Sequence, residues 1–175
     1  MAQTMKWLLF LDLDGTLWDH MDISSLVLPF HGNAGHSISD ARGEAISLKP
    51  GALDFLRWVR SNGGILTSCS WNEPEFAMAA LDAFGLTKEF DHHRISVSPR
   101  KDLAMLDLMD ELSMKKISFS RDLIFYLDDR EIHMESVRKS LPKLEFLHMG
   151  NKVRNFEEAE KVISGKLKSL QWTPT

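Results

Sequence analysis

The fold is decided by the stretch Trp7-Leu8-Leu9-Phe10-Leu11-Asp12-Leu13-Asp14-Gly15-Thr16-Leu17-Trp18. It begins with an unbroken apolar run from Trp7 to Leu11, which is typical of a strand buried on both faces of a parallel sheet. Two carboxylates, Asp12 and Asp14, follow where the strand ends. Open α/β sheets bind their ligands at the carboxyl ends of parallel strands, so both acids are candidates for a site. A lone Asp-x-Asp is also typical of an acidic surface turn, and its meaning therefore depends on the rest of the chain.

The composition limits the class of protein. The chain has 175 residues, of which 43% are hydrophobic and 26% charged, as in an ordinary globular domain with a substantial core. A net charge of −4 argues against a dedicated nucleic-acid binder. A single cysteine cannot form an internal disulfide, which favours a reducing, cytoplasmic compartment. We expect one domain over residues 1–175, with no membrane contact, because no apolar run approaches the roughly 18 residues of a span. The oligomeric state stays open.

Strand and helix patterns alternate along the rest of the chain. Short apolar runs predict four further strands: Gly64–Ser70, one within Phe90–Val97, Leu123–Leu127 and Leu144–His148. Periodic segments predict helices from Pro50 to Asn62, after a cap at Asn72, over Lys101–Leu112 and Ile132–Ser140, and after a cap at Asn155. This alternation predicts an α/β fold, a Rossmann-like three-layer sandwich around a central parallel sheet.

The segment from about Asp19 to Leu48 interrupts this order. It is rich in turn-forming residues, and Val27-Leu28 and Ala45 to Leu48 are its possible short strands. Irregular segments of this length are usually functional or disordered. Because it directly follows the acidic strand end, we interpret it as a flap over the site, and a surface excursion without function is the alternative.

Acids from two distant strands are expected at one edge of the sheet. Asp128 and Asp129 end one predicted strand, as Asp12 and Asp14 end the first. The sequence has no paired cysteines and no HExxH pattern, so these carboxylates would form a site of hard oxygen ligands. Mg²⁺ prefers such a site and often completes its shell with a phosphate oxygen. The four acids are therefore the predicted metal site.

Phosphoryl transfer also needs cations and hydroxyl groups that hold the phosphate oxygens. Lys101, with Arg100 beside it, supplies a cation at a helix start, and Ser70 supplies a hydroxyl at a strand end. Cys69 is expected to be a small buried residue, because the CxxxxxR loop of thiol phosphatases is absent.

The segment Asp12-Leu13-Asp14-Gly15-Thr16 resembles DxDGT, the first motif of the haloacid dehalogenase superfamily of phosphotransferases. The other elements of that superfamily follow in order, namely a strand ending in Ser or Thr, a Lys at a helix start and a strand ending in paired acids. The likeness extends from Asp12 to Asp129 and is closest to the magnesium-dependent phosphatases. Pro29-Phe30-His31 and Asp40-Ala41-Arg42-Gly43 in the flap add to it. It implies a short flap instead of a large cap domain.

The resemblance implies a role for each matching residue. Asp12 would be the nucleophile, through an aspartyl-phosphate, and a metal ligand. Asp14 would protonate the leaving group and then activate water, while its backbone carbonyl binds Mg²⁺. Asp129 would be a direct metal ligand, and Asp128 would orient water or Lys101. Lys101 would pair with the nucleophile and the phosphate.

The hydroxyl for the phosphate is ambiguous, because Thr67, Ser68 and Ser70 lie in one predicted strand. Ser70 is preferred, since a strand that runs from Gly63 only to Thr67 would have about three residues, below the usual length. Thr67 remains the alternative. Trp71 is a further candidate for substrate binding, with ordinary packing as its alternative.

Together these features predict a Mg²⁺-dependent phosphatase. It would hydrolyse phosphate monoesters of phosphotyrosine-like or sugar phosphate type, in small molecules or phosphoproteins, because an open site admits both. One alternative is a nucleic-acid-end 3′-phosphatase, against which the acidic composition counts. Another is a non-catalytic module that binds phosphorylated partners, which missing motif residues would favour.

Overall fold

The computed structural model describes residues 5–32, 34–170 and 172. Its strands are β1 (Lys6–Leu11), β2 (Ser37–Ser39), β3 (Ala45–Ser47), β4 (Gly64–Trp71), β5 (His92–Ser96), β6 (Phe119–Asp128) and β7 (Glu145–His148). Its α-helices are α1 (Ala52–Ser61), α2 (Pro74–Ala83), α3 (Lys101–Met114), α4 (Met134–Ser140) and α5 (Phe156–Ser169). None of the helices within these ranges is long and apolar enough to cross a membrane.

A five-stranded parallel sheet forms the centre of the molecule, in the order β5-β4-β1-β6-β7. β1 is its middle strand, and its residues Trp7 to Leu11 are at most 1% exposed. Leu8 and Phe10 pack into the core formed with α3 and α4, whereas Leu9 and Leu11 pack into the core formed with α1, α2 and α5. The α/β three-layer sandwich predicted from the sequence is confirmed.

The strand register determines which residues meet at the carboxyl edge of the sheet. Leu11, the last residue of β1, pairs with Ser68 of β4 on one side and with Leu127 of β6 on the other. The residues that follow all three therefore lie along one edge. The neighbours of β1 come from different crossovers, and ligands of open α/β sheets bind at such points.

The flap, residues 19–48, contains a 3₁₀ turn at Ile23–Ser25 and the antiparallel hairpin β2–β3. The strand predicted at Val27-Leu28 is wrong, because the Val27 N–H donates to the carboxylate of Asp40 at 3.0 Å instead of to a neighbouring strand. Asp40 is buried and also accepts the backbone N–H groups of Arg42 at 2.8 Å and Glu44 at 2.9 Å. One carboxylate thus holds the hairpin turn and the incoming chain together.

The helix caps were predicted with mixed success. Asn155 caps α5 as expected, since its side chain accepts the N–H of Glu158 at 2.9 Å. The cap at Asn72 is wrong, because α2 begins at Pro74 after Glu73, one residue later. The side-chain oxygen of Asn72 accepts only the N–H of Glu73, at 2.8 Å. β4 continues to Trp71, and α4 begins at Met134 instead of Ile132.

Gly64, the first residue of β4, lies in a tightly packed part of the core. A Cβ added at Gly64 would lie 2.7 Å from both the Trp7 ring and the Val59 side chain. We expect Gly64→Ala to lower the free energy of unfolding by about 1–3 kcal/mol, because the added methyl overpacks this contact. Urea unfolding followed by tryptophan fluorescence measures the change. The matched control is Gly165→Ala in α5, where a Cβ meets nothing within 4 Å.

The control should raise the free energy of unfolding by about 0.5–1 kcal/mol, since alanine is the better helix residue. Equal unfolding midpoints for Gly64→Ala and the wild type would contradict the packing described for β4.

Candidate active site

The buried ammonium group of Lys101 joins the ends of β1 and β6. Its Nζ donates to Asp12 Oδ1 and to Asp128 Oδ2, both at 2.6 Å, and the side chain is 2% exposed. Lys101 is the first residue of α3, so the start of that helix is placed at the carboxyl edge of the sheet. The predicted convergence of these three residues is present in the structure.

Tyr126 contacts both Lys101 and Asp128, and the sequence did not predict it as a site residue. Its hydroxyl donates to Asp128 Oδ2, and its ring centroid lies 5.5 Å from Lys101 Nζ. The other oxygen of Asp128 accepts the N–H of Arg130 at 2.8 Å. Both oxygens of Asp128 are thus engaged by protein donors. Strand alternation could have found Tyr126, because it lies two residues before Asp128 on the same face of β6.

Three carboxylates form a group that could hold a metal ion. Asp12, Asp128 and Asp129 each offer an oxygen within 4.8 Å of the others. The Thr16 hydroxyl lies between two of them, 3.3 Å from Asp12 and 3.2 Å from Asp129, and it accepts the N–H of Asp129 at 2.9 Å. Among the described residues Lys101 is the cation that pairs with this group, so two of the three negative charges stay uncompensated. A divalent cation with a preference for oxygen ligands fits both the charge and the donors.

The protonation equilibria reflect this shortage of positive charge. Burial raises the pKa of Asp12, and the charge of Lys101 only partly opposes that effect. Burial would also raise the pKa of Asp128, but Lys101 and the Tyr126 hydroxyl outweigh it, and the net shift is downward. Burial would lower the pKa of Lys101, but the two carboxylates raise it, so the amine stays charged. Asp128 is the ionised partner of Lys101, and Asp12 is the carboxylate that a cation would stabilise most.

Asp14 is held apart from this group. Its Oδ1 accepts the indole N–H of Trp18 at 2.7 Å, and its Oδ2 accepts the amide of Asn72 at 2.6 Å and the N–H of Ile23 at 3.1 Å. The residue is 4% exposed. Burial raises the pKa of Asp14, although the donors from Trp18 and Ile23 oppose it. The two acids of the DxD pattern therefore have different surroundings.

Asn72, which the sequence predicted to be a helix cap, contacts Asp14. Its amide reaches Asp14 from the end of β4, across 58 positions of sequence, so no local pattern reports the contact. Trp18 is different, since it follows Asp14 by four residues in the turn after β1. The flap contributes Ile23, so Asp14 is enclosed from three directions.

The two hydroxyl candidates of β4 lie on opposite faces of the strand. Thr67 pairs with Phe10 of β1, deep in the sheet, and its buried Oγ1 has no hydrogen-bond partner in the described part of the chain. Ser70 lies three residues further on, near the carboxyl end of the strand, and is 3% exposed. Ser70 is therefore near the carboxyl edge of the sheet, where the acids lie, whereas Thr67 lies further inside the sheet, opposite Phe10.

Cys69 is the residue of β4 at the level of Asp12. Because Leu11 pairs with Ser68, the next residues of the two strands are Asp12 and Cys69, and alternation directs both towards α3. Burial raises the pKa of the Cys69 thiol to about 12, although the charge of Lys101 opposes the shift. The thiol is neutral at physiological pH. Cys69 is buried, as expected, and it lies beside the acids.

Two further candidates, Trp71 and Arg100, have different surroundings. Trp71 is 41% exposed, and its indole N–H donates to the carbonyl of Val97 at 3.0 Å. It lines a cavity of about 440 Å³ together with Asp14. The guanidinium of Arg100 instead forms two hydrogen bonds with the buried Asp102, at 2.9 and 2.8 Å. The structure thus places Trp71 beside Asp14 and engages Arg100 in an ion pair at the start of α3.

The flap covers one side of this cavity. Met21, Asp22 and Ser24 line it, and Arg130 lines it as well. Residues from the flap, from the end of β4 and from the segment after β6 therefore surround a space that opens next to Asp14. Of residues 19–48, Met21, Asp22 and Ser24 line this cavity, and a flap over the site remains a prediction.

Comparison with known proteins points to one family. A family model described as acid phosphatase matches residues 4–169. Magnesium-dependent phosphatase 1 of Homo sapiens is 31% identical over 133 residues, which are 74% of this chain and 71% of that protein.

Solved structures share the fold. A hydrolase of the HAD superfamily from Ehrlichia chaffeensis has a TM-score of 0.59 at 16% identity, over 94% of this chain and 100% of that one. The N-terminal part of a Bacteroides fragilis protein, which contains a phosphatase domain and is complexed with Mg, has a TM-score of 0.58 at 18% identity. It matches over 94% of this chain, which spans 40% of that longer one. At these identities the likeness concerns the fold alone.

The ion pair at the start of α3 gives stability a pH dependence. Asp102 accepts the Arg100 guanidinium and the Ser140 hydroxyl, and these contacts lower its pKa to about 2. A carboxyl whose pKa is depressed on folding adds stability above its unfolded value of about 4, and that stability is lost as pH falls towards the folded value. We expect Asp102→Asn to cost about 1–3 kcal/mol at pH 7, and the deficit to shrink between pH 4 and pH 2.

Urea unfolding at a series of pH values, as far down as the wild type stays folded, measures this deficit. Asp110→Asn, at an exposed position of the same helix, is the matched control and should change little at any pH. A deficit of constant size from pH 7 to the acid limit would show that the charge of Asp102 contributes nothing to stability.

Proposed function

The chain belongs to the acid phosphatase family, within the haloacid dehalogenase superfamily and related to the magnesium-dependent phosphatases, and we propose that it hydrolyses phosphate monoesters through an aspartyl-phosphate on Asp12. The proposal rests mainly on one observation. Lys101 bridges Asp12 and Asp128 at 2.6 Å while Asp129 completes a group of acids with too little positive charge. A divalent cation would supply the missing positive charge, and a phosphate would bind with that cation in place.

The proposed cofactor is Mg²⁺. The residues that would hold it are Asp12, Asp129 and the backbone carbonyl of Asp14, while Asp128 keeps Lys101 in place. Bound there, Mg²⁺ would neutralise the carboxylates and screen the charge of the incoming phosphate. Support comes from the oxygen donors of this chain, from the magnesium-dependent human relative and from the fold-related bacterial structure that contains Mg.

In the first proposed step the carboxylate of Asp12 attacks phosphorus. A bond forms between Asp12 and phosphorus, and the bond from phosphorus to the ester oxygen breaks. Lys101 holds one oxygen of Asp12 and orients the carboxylate for in-line attack. Asp14 donates its proton to the departing oxygen, a role for which its raised pKa is suitable.

In the second step Asp14, now ionised, accepts a proton from a water molecule. The oxygen of that water attacks phosphorus, inorganic phosphate leaves, and Asp12 is restored as a carboxylate. The donors from Trp18, Asn72 and Ile23 favour the ionised form of Asp14, whereas its burial favours the protonated form. This balance supports a group that changes its protonation state twice in each cycle.

The proposed substrates are phosphotyrosine-like or sugar phosphates, free or attached to a protein. The cavity of about 440 Å³ beside Asp14 has space for a small leaving group. A flap of about 30 residues leaves less cover than a separate cap domain would, which is compatible with substrates that extend away from the site.

Replacement of the nucleophile tests the mechanism. We expect Asp12→Asn to lower kcat for 4-nitrophenyl phosphate by roughly 10³-fold or more, since the amide cannot form the acyl phosphate. Wild-type activity should fall to background with a chelator and return with added Mg²⁺. Phosphate release measured with and without the chelator gives both results.

The matched control is Asp122→Asn, the same chemical change in a surface pair with Lys143. It should retain wild-type kcat. If Asp12→Asn kept full activity, or if the wild type were indifferent to the chelator, the proposed mechanism would be wrong.

A second set of variants tests which side chain of β4 contacts the phosphate. We propose Ser70, because its hydroxyl lies near the edge of the sheet, and expect Ser70→Ala to raise the KM for phosphate monoesters about 10-fold. Thr67→Val should leave KM nearly unchanged, since its hydroxyl is inside the core. Steady-state kinetics with one aryl phosphate compares them.

Cys69→Ala completes the comparison. A larger increase in KM for Cys69→Ala than for Ser70→Ala would show that the phosphate is bound by side chains on the face of β4 that Asp12 shares. The assignment of Ser70 would then be rejected. A larger increase in KM for Thr67→Val than for Ser70→Ala would also reject the assignment of Ser70.

A further inference from the structure

The cavity beside Asp14 is where the leaving group of a substrate must lie, on the premise of the proposed function. Asp14 would give its proton to the departing oxygen, so the remainder of the leaving group extends from that point into the space that Asp14 lines. The side chains around this cavity therefore determine which leaving groups are accepted.

One cation of this cavity, Arg130, forms no ion pair with any residue that the structure describes. Arg130 lines the cavity and is half-buried, and its Nε is buried without a hydrogen-bond partner. Within the described ranges no carboxylate forms an ion pair with its guanidinium. A buried Nε–H without an acceptor is costly unless a ligand supplies one. Arg130 directly follows Asp129 in the chain and lines the same cavity as Asp14.

An apolar wall faces the same space. The Trp71 ring is 41% exposed and is held in place by its bond to the Val97 carbonyl at 3.0 Å and by the edge of His133, 5.8 Å away. Met21 and Val97 add 58% and 61% exposed apolar side chains. Exposed apolar groups that converge on one cavity are typical of a binding surface for a flat, partly apolar ligand.

The charges of the cavity limit the net charge of that ligand. Asp22 and Glu73 line it from the flap and from the start of α2, and Asp14 lies next to them. These carboxylates disfavour negative charge in the leaving group except next to Arg130. The planar pair of donors of that guanidinium matches one carboxylate.

We propose that Arg130 is a specificity-determining residue that selects phosphate monoesters whose leaving group carries a carboxylate. The body of the leaving group lies against Trp71, and its carboxylate accepts hydrogen bonds from Arg130. This inference rests on the proposed function, because it needs the leaving group to lie in the cavity next to Asp14.

The test compares 4-carboxyphenyl phosphate with its neutral isostere, 4-carbamoylphenyl phosphate, in the full chain with Mg²⁺. We expect the wild type to have the higher kcat/KM for the carboxylate. In Arg130→Met the ratio of the two kcat/KM values should fall about 10-fold or more, the effect of one charge-assisted contact. Arg130→Lys, which keeps the charge but not the planar donors, should retain part of the preference. Because each variant is compared with itself on two substrates, a partial loss of folded protein cancels.

Arg138→Met is the matched control, since Arg138 is exposed on α4 and lies outside this cavity. Its ratio should equal that of the wild type. An unchanged ratio in Arg130→Met, whether both rates fall together or neither changes, would overturn the inference and leave the proposed function intact. If the wild type hydrolysed neither phosphate ester, the proposed function would fail, and the inference with it.

Discussion

The structure depends on one buried cation that joins two strand ends. Lys101 is 2% exposed and pairs with Asp12 and Asp128, which come from strands more than 100 residues apart in the sequence. Burying an ammonium and two carboxylates is costly, and the cost is offset only when their geometry is nearly ideal. The parallel register of β1 and β6 supplies that geometry, and Tyr126 fixes the orientation of Asp128. The same group still lacks positive charge, and this deficit makes it suitable for a divalent metal ion.

Around this cation the two acids of the DxD pattern have different surroundings. Asp12 faces α3 and the ammonium group of Lys101, so it stays in place as a nucleophile would need to. Asp14 faces the flap and is bound by an indole, an amide and a backbone N–H. Strand alternation alone would direct residues two apart to the same face, so the separation comes from the turn at Gly15 and from the flap. The flap therefore contributes a hydrogen bond to Asp14 as well as part of the cavity wall.

The sequence was sufficient for the architecture and for the central acids. The apolar run from Trp7 to Leu11 predicted the middle strand, and the alternation of patterns predicted the parallel sandwich. Asp12 and Asp128 were predicted to converge, since residues at the carboxyl ends of parallel strands share one edge, and the family resemblance implied that Lys101 pairs with Asp12. The prediction failed where local signals are weak or shared. Val27-Leu28 has the composition of a strand, yet the Val27 N–H donates to the buried carboxylate of Asp40. Asn72 is a residue type that often caps helices, yet its side-chain amide donates to Asp14.

What the sequence by itself determined is the set of elements and the edge of the sheet to which each acid belongs, because hydrophobic periodicity and strand polarity are local properties. What only the tertiary structure decided is which side chains from distant segments touch. Register and the path of the flap determine the contact between Asn72 and Asp14, the position of Cys69 opposite Asp12, and the burial of the Arg130 Nε without a hydrogen-bond partner among the described residues. Register and chain path follow from the packing of the whole core, so no short stretch of sequence contains them.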